Sequence, residues 1–432
     1  MCTFTAANFA SPIFRGSDGN SMTDTFRPEN DQQVLDALQW AAAERHALEV
    51  VGSGTKTGFG RPIEAAARLD VSGLGGIGLY EPQELVLTAK ASTPMAEIEA
   101  ALTEKGQHLA FDPPDLGRLL GGDGRGNVGG TLGGAIACNL AGPRRLKAGA
   151  ARDHLLGFSA VSGRGETFKS GGRVVKNVTG FDLSKLITGS FGTLAVMTEV
   201  SVKVLPAPEK THTVLVFGCA DADAVRAMTA ALHSPYEVAS AAHLPATIAG
   251  ASGVSYVSGA GGAVTAVSVE GPGPSVEFRC GALRDLLAPF GQIEELHSAN
   301  SAALWREVRD VVYFAGAADQ RPVWRLSVPP AQGTRVADEI LGNVDGQAFY
   351  DWGGGLVWLA LNESEDSGHR TVREAVTRSG GHATLVRAST ETRAQVPVFH
   401  PQPEPLADLT RRVKLGFDPS GVLNPGRMYE GV

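Results

Sequence analysis

A long run of alternating apolar and polar positions lies between Ala195 and Pro206. Val196, Val200, Val202 and Val204 share one face, while Glu199, Ser201 and Lys203 point the other way. This period of two predicts a half-buried strand, closed by Pro206, which cannot donate to a sheet ladder. The strand is entered from Gly189 and Gly192, behind a short amphipathic segment with Phe181, Leu183, Leu186 and Ile187 on its apolar side. Two glycines ahead of such a strand suit either a backbone that passes close to a ligand or a plain turn before a core strand.

Upstream, the spacing predicts a helix over 31–46, with Asn30 as N-cap and Val34, Leu35, Leu38, Ala41 and Ala42 as its stripe. Strands follow at 48–52, 67–71 and 85–91, then a helix capped by Thr93 with Pro94 at its first position, ending near Gly106. Beyond Pro206 the period switches between two and 3.6 in a regular order. Strands at 212–218, 236–243, 264–270 and 291–296 enclose helices at 221–232 and 275–288. A second set has strands at 323–328, 346–351, 356–361 and 383–387 around helices at 331–342 and 367–379, and a helix over 300–310 links the sets. Each set reads β-α-β-β-α-β, the ferredoxin-like order. The chain finishes with a short helix, a D-P-x-G turn and an N-P-G element.

Composition sharpens this at one residue type. Glycine supplies 54 of 432 residues without a collagen-like period, concentrated near 52–60, 117–134, 171–192, 250–262 and 353–355. That clustering implies several close-approach loops rather than one flexible linker. A net charge of −8 with no basic block argues against nucleic-acid binding. Cys2, Cys138, Cys219 and Cys280 lie far apart and form no C-x-x-C pair, so neither a disulfide scaffold nor an iron–sulfur or zinc framework is expected, and a reducing cytoplasm is. No apolar run approaches the ~20 residues that span a bilayer. Residues 1–21 lack the pattern of a signal peptide and read as a disordered tail, with Met22 as an alternative start.

The glycine loops carry the candidate chemistry. Gly52, Ser53, Gly54, Thr55, Lys56 and Thr57 offer backbone N–H groups, hydroxyls and one ammonium in a tight turn, as a pyrophosphate requires. A solvent-exposed hairpin loop is the plainer alternative. The loop fits neither the Walker A pattern nor the dinucleotide fingerprint. Gly124-x-Gly126-x-x-Gly129 matches G-x-G-x-x-G, but no strand precedes it and no acidic residue follows at the right distance. Residues 119–127 look like an extended loop, and 129–142 like a small-residue segment able to lie closely over a flat ligand. Cys138 there reads as a small apolar residue rather than a reactive thiol.

VGSGTKTGFGRP, FDPPDLG, GGTLGGAIACNLAGPRR, GAARDHLLG, the stretch 171–206 and the terminal FDPSGVLNPGRMY occur in one order. This set resembles the FAD-binding subunits of bacterial glycolate oxidases, within the vanillyl-alcohol-oxidase-like, PCMH-type flavoproteins. The resemblance covers the chain from about Met22. It implies an α+β protein: a two-lobed PCMH-type FAD-binding domain at 22–206, an α+β cap of ferredoxin-like halves at 207–395, and a segment at 396–432 that returns to the FAD domain. It implies FAD, with the first glycine loop on the pyrophosphate; that loop has no histidine and Cys138 lies in an apolar segment, so non-covalent binding is expected. Gly130, Thr131, Gly133, Gly134, Cys138, Asn139, Gly189, Gly192 and Thr193 would line the rest, Gly180 and Asp182 would enter that wall, and Asn424 and Arg427 would add polar groups from the tail. It implies glycolate oxidation to glyoxylate in a complex with a catalytic flavoprotein and an iron–sulfur subunit, cytoplasmic or peripheral to the inner membrane. A self-sufficient dehydrogenase of another 2-hydroxy acid or alcohol, and a structural flavoprotein subunit, stay open beside it.

Substrate chemistry is less legible. Hydroxy-acid oxidation needs a cation for the carboxylate and a base for the hydroxyl proton. Members of this superfamily often carry an H-x-x-D-x-N-x-H metal cluster, which none of the ten histidines begins, and no metal is expected. The catalytic candidates are Arg325, His382 and Arg427. For each a bland role competes: a strand-face salt bridge for Arg325, a satisfied structural histidine for His382 and a surface salt bridge for Arg427. Trp352 with Gly353–Gly355 predicts close packing at a domain contact.

Overall fold

A computed structural model describes residues 24–121, 129–173, 180–316, 318–362 and 366–432. The tail at 1–21, the alternative start at Met22 and the glycine-rich 122–128 lie outside the described residues.

The N-terminal part is built on two sheets. β1 (Asp24–Phe26), β2 (Leu48–Val51) and β3 (Ala67–Asp70) form a parallel sheet in the order β1-β3-β2, covered by α1 (Asp31–Glu44). Asn30 caps α1, its Oδ1 accepting from the Gln33 N–H at 3.0 Å, and Val34, Ala37, Leu38 and Ala41 are buried beneath it. The second sheet is antiparallel, with β4 (Ile77–Glu81), β5 (Val86–Lys90), β6 (Leu155–Ser162), β7 (Thr167–Gly171) and β8 (Ala195–Lys203) in the order β4-β5-β8-β6-β7. α2 (Met95–Glu104) and α3 (Leu132–Ala137) pack on it, and their buried Ile98, Leu102, Leu132 and Ile136 join its core. Thr93 caps nothing: its Oγ1 accepts from the Gly76 N–H at 3.0 Å, and Pro94 takes the cap position.

β8 corrects the half-buried reading. It is the central strand of its sheet, and Thr198 and Ser201 are buried along with its valines. Ser201 Oγ sits 2.7 Å from Thr88 Oγ1, which satisfies both hydroxyls in the interior. The amphipathic segment before it becomes α4 (Leu183–Ile187), with Ile187 buried but Phe181 90% exposed. Leu119 and Leu120, at the start of the expected extended loop, instead close a helical turn over Gly117–Leu120, with Leu119 buried.

Beyond Pro206 stands one eight-stranded antiparallel sheet. Its strands are β9 (Lys210–Phe217), β10 (Ser240–Leu244), β11 (Val264–Gly271), β12 (Gln292–Leu296), β13 (Val323–Ser327), β14 (Gly346–Asp351), β15 (Leu356–Leu361) and β16 (His382–Arg387). The order is β12-β9-β11-β10-β14-β15-β13-β16. Each β-α-β-β-α-β set supplies four neighbouring strands, and the halves join edge to edge where His243 of β10 faces Tyr350 of β14. α5 (Asp221–Leu232) and α6 (Gly273–Leu287) belong to the first half, α8 (Gly333–Leu341) and α9 (His369–Ser379) to the second, and α7 (Ser298–Arg309) links them.

The chain then returns to the N-terminal part through α10 (Glu404–Phe417). Lys414 of this helix is 3% exposed; its Nζ donates to the carbonyls of Thr193 and Leu423 at 2.7 Å and to Asp418 Oδ2 at 2.8 Å. Asp418, fully buried, accepts from the Val422 and Leu423 N–H groups.

Candidate functional site

Between the two N-terminal sheets opens a cleft continuous with solvent, lined by residues of both. Val50 and Val51 of β2 stand on one side; Ala195, Val196 and Met197 of β8 stand on the other. The glycine loop after β2 is no exposed hairpin, for Gly54 and Phe59 are buried. Gly54 is held at φ 75°, a left-handed conformation that suits glycine. The N–H groups of Ser53, Gly54, Thr55 and Lys56 meet no acceptor among the described residues. A row of consecutive unsatisfied amides is an anion cradle.

Two cations face the same space. Lys56 Nζ has one hydrogen-bond partner among the described residues, Thr55 Oγ1 at 3.3 Å. Burial lowers its pKa, while Cys138 and Asp115 act in the opposite sense. Arg427 is buried, Lys56 half-buried, and Arg427 forms no salt bridge among the described residues, which corrects the surface-pair expectation. It donates from Nη2 to the Lys56 carbonyl at 3.1 Å, and burial lowers its pKa too. Buried cations without counter-charges are costly, and an anion in the cleft removes that cost.

Gly52, Ser53, Gly54, Thr55, Lys56 and Thr57 line the cleft, as do Thr131, Gly133, Gly134, Cys138, Gly192, Asn424 and Arg427. Glycine at 130 leaves the Lys56 ammonium its room, since a Cβ there would come 2.5 Å from Nζ. Thr131 caps α3, its Oγ1 accepting from the Gly134 N–H at 3.1 Å. Asn424 staples the walls together: Oδ1 accepts from Val50 N–H, and Nδ2 donates to the Phe191 carbonyl, both at 2.8 Å. Phe191, which lines the cleft at φ 53°, packs edge-on against Phe59 and Phe399 and so joins three distant segments beside it. Burial raises the pKa of the Cys138 thiol, in keeping with an unreactive group.

Other expected residues support the cleft from outside. Thr193 Oγ1 donates to the Ser190 carbonyl, and Asn139 Oδ1 accepts from Arg152 N–H. Gly189 turns the chain at φ 84° against Asn139. Gly180 and Asp182 are exposed beyond the cleft. Val71, Ala91 and Ser92, which also line it, carry no motif that marks them in the sequence.

Arg325 and His382 lie on the large sheet, away from the glycine loop. The strand-face salt bridge expected for Arg325 does not form among the described residues; its Cζ lies 5.0 Å from the Trp352 ring centroid. His382 is exposed and has no hydrogen bond among the described residues, so it is not a satisfied core histidine. Elsewhere, the donor atoms of His212, Cys280 and Glu295 lie within 4.8 Å of one another, with His212 Nδ1 already 2.9 Å from Glu295 Oε1.

Asp351, at the end of β14, is buried and accepts from the Trp352 N–H at 2.7 Å. Burial pushes its carboxyl up to about 7. The folded chain therefore holds this proton more tightly than the unfolded chain, whose aspartates titrate near ~4. The contribution to stability is full below about pH 4 and is lost as pH rises through about 7. Asp351→Asn should shrink the difference between urea midpoints at pH 5 and pH 8. An undiminished difference would assign that pH dependence to other groups.

The fold and the cleft define an FAD-binding flavoprotein of the PCMH and vanillyl-alcohol-oxidase type. Residues 25–171 match the family described as FAD binding domain. The structure resembles 4-ethylphenol oxidase from Gulosibacter chungangensis, with a TM-score of 0.68 over 97% of this chain and 92% of that one, at 16% identity. In sequence the chain is 34% identical to glycolate oxidase subunit GlcE of Escherichia coli K12 over 400 residues, 92% of this chain and 97% of that one. It is also 32% identical to glycolate oxidase subunit GlcD of Bacillus subtilis 168 over 197 residues, 45% of this chain and 40% of that one. The chain belongs to the GlcE family, and FAD is its cofactor.

Proposed function

We propose that this chain is the FAD-binding subunit of a glycolate-oxidising complex and passes electrons to an iron–sulfur partner beside a second flavoprotein subunit. The observation that carries the reading is the glycine loop: unsatisfied amides at 53–56 next to the unpaired cations Lys56 and Arg427. These groups would hold the pyrophosphate, and the small residues of α3 and the turn at Phe191–Gly192 would flank the flexible and ring portions. The flavin supplies hydride acceptance; the protein's part is binding, orientation and charge. The division into a flavin-binding unit (22–206), a cap (207–395) and a returning tail (396–432) belongs to the same reading.

The described cysteines sit in separate elements as free thiols, which supports a separate chain for the iron–sulfur cluster. No helix of the described residues is long and apolar enough to cross a membrane; the proposed location is the cytoplasm, peripheral to the inner membrane through the complex. Anaerobic addition of glycolate to the purified yellow protein tests the assignment. Bleaching only after the partner chains are added is the expected result. Bleaching of this chain alone would make it a self-sufficient dehydrogenase, and a colourless protein that takes up no FAD would leave a structural subunit.

A further inference from the structure

The large sheet meets the N-terminal part at Trp352. Its indole N–H donates to the Gly142 carbonyl at 3.1 Å, in the segment that follows Cys138 of the cleft wall. Two guanidinium groups lie over this one ring. Arg145, from that same segment, has its Cζ 4.7 Å from the centroid, and Arg325, from β13, has its Cζ at 5.0 Å. Both side chains are half-buried. Neither guanidinium makes a hydrogen bond or an ion pair among the described residues, so both forks of donors lack a protein acceptor at this ring.

The surroundings work against the charge on both groups. Burial first, then Arg145, lowers the pKa of Arg325 to about 10, and burial lowers that of Arg145. The strand pairs Arg325–Thr384 and Ser327–His382 put His382 on the same sheet face, at the exposed edge. Desolvation, followed by Arg325, His400 and Arg145, holds the His382 pKa down. Asp351 is the buried carboxyl that attracts Arg325, but its pKa of about 7 and its bond to the Trp352 N–H make it a weak counter-ion. Asp153 attracts Arg145 while accepting from the Ala150 N–H.

We infer that Arg145 and Arg325, stacked on Trp352, form the binding site for the carboxylate of a small 2-hydroxy acid at the junction of the two parts of the chain. Planar guanidinium forks match a carboxylate in bidentate fashion, and an indole face holds them in orientation. A carboxylate between them would offset the repulsion that the protein leaves in place, and His382 would stand at the entrance. This inference rests on the flavin reading of the cleft and adds to it where the substrate's anionic end is held.

The test is a titration of flavin-loaded protein with oxalate, which has the carboxylates but no oxidisable hydroxyl. Tryptophan fluorescence and the flavin absorption bands are the readouts. The wild type should show a saturable change, weakened at least about ten-fold in Arg145→Gln and Arg325→Gln, with bound flavin unchanged. Arg325→Lys, the gentler variant should either glutamine variant fold poorly, should also bind more weakly, because an ammonium lacks the fork. Equal affinity in wild type and in the variants, or no saturable change in the wild type at millimolar oxalate, overturns the site. Glycolate addition separates the two readings. Normal bleaching with affinity unaltered by the substitutions removes the site and keeps the flavin assignment. Intact oxalate binding in a complex that glycolate never bleaches keeps the site and removes the glycolate assignment.

Discussion

Lys56→Glu should yield a protein that folds but emerges from gel filtration nearly free of flavin. Lys56 is half-buried in a loop of unsatisfied amides, and no carboxylate pairs with its ammonium among the described residues. Two unit charges ~4 Å apart at an effective dielectric constant of ~20 interact by about 4 kcal/mol. Losing that attraction alone weakens binding by about three orders of magnitude, at about 1.4 kcal/mol per factor of ten. Glutamate adds repulsion against the same phosphates, so Lys56→Ala should fall between it and the wild type. The ratio of absorbance at the flavin band to that at 280 nm reads the result. Full occupancy in the glutamate variant would remove the pyrophosphate from this loop. Because the wild-type ammonium is desolvated without an ion pair, the flavin-free Lys56→Ala protein should be at least as stable to urea as flavin-free wild type.

The second large effect concerns the return of the tail. Lys414→Ala should destabilise the folded chain by about 3–5 kcal/mol, the usual cost of leaving one member of a buried ion pair unpaired. The lysine ties together the Thr193 carbonyl, Asp418 and the Leu423 carbonyl, so its loss strands three acceptors at once. Asp418→Ala should cost a similar amount, because the buried ammonium and two backbone N–H groups lose their acceptor. The double variant Lys414→Ala/Asp418→Ala should cost much less than the sum, since no charge is then buried alone. Urea unfolding of the four proteins closes the cycle, and strict additivity would deny the pair its coupling. Both single variants should also lose flavin, because Asn424 and Arg427 follow directly on this anchor.

Much of the large sheet was legible in the sequence because each element has a clear period and a glycine or proline at its ends. The strands at 346–351 and 356–361 match the structure at both ends. β4 was missed because Gly78 and a register shift break the alternation, and all its residues keep some exposure. At the cleft, the glycine loop announces itself as a row of amides with one cation. Asn139, Gly189 and Thr193 sit in the same motifs yet serve the backbone, and a motif does not say which way a side chain turns. Arg145 could not be matched with Arg325, nor Asp351 with its burial, since those relations cross long stretches of chain. Lys414 and Asp418 are four apart at a helix end and carry no mark of burial in the sequence; only the docking of α10 buries them.

The edge-to-edge seam between His243 and Tyr350 bears on how the chain assembles. Each half completes its four-strand ladder from one uninterrupted stretch, whereas the seam waits for two distant strands to meet. Loop closure makes such a pairing slower than those within a half, so each half should collapse as its own unit during synthesis, the first before the second has left the ribosome. Until the seam closes, β10 and β14 are open edges able to recruit a strand from a neighbouring chain. Dimers that exchange whole halves are therefore the misassembled product to look for when refolding is attempted at high protein concentration.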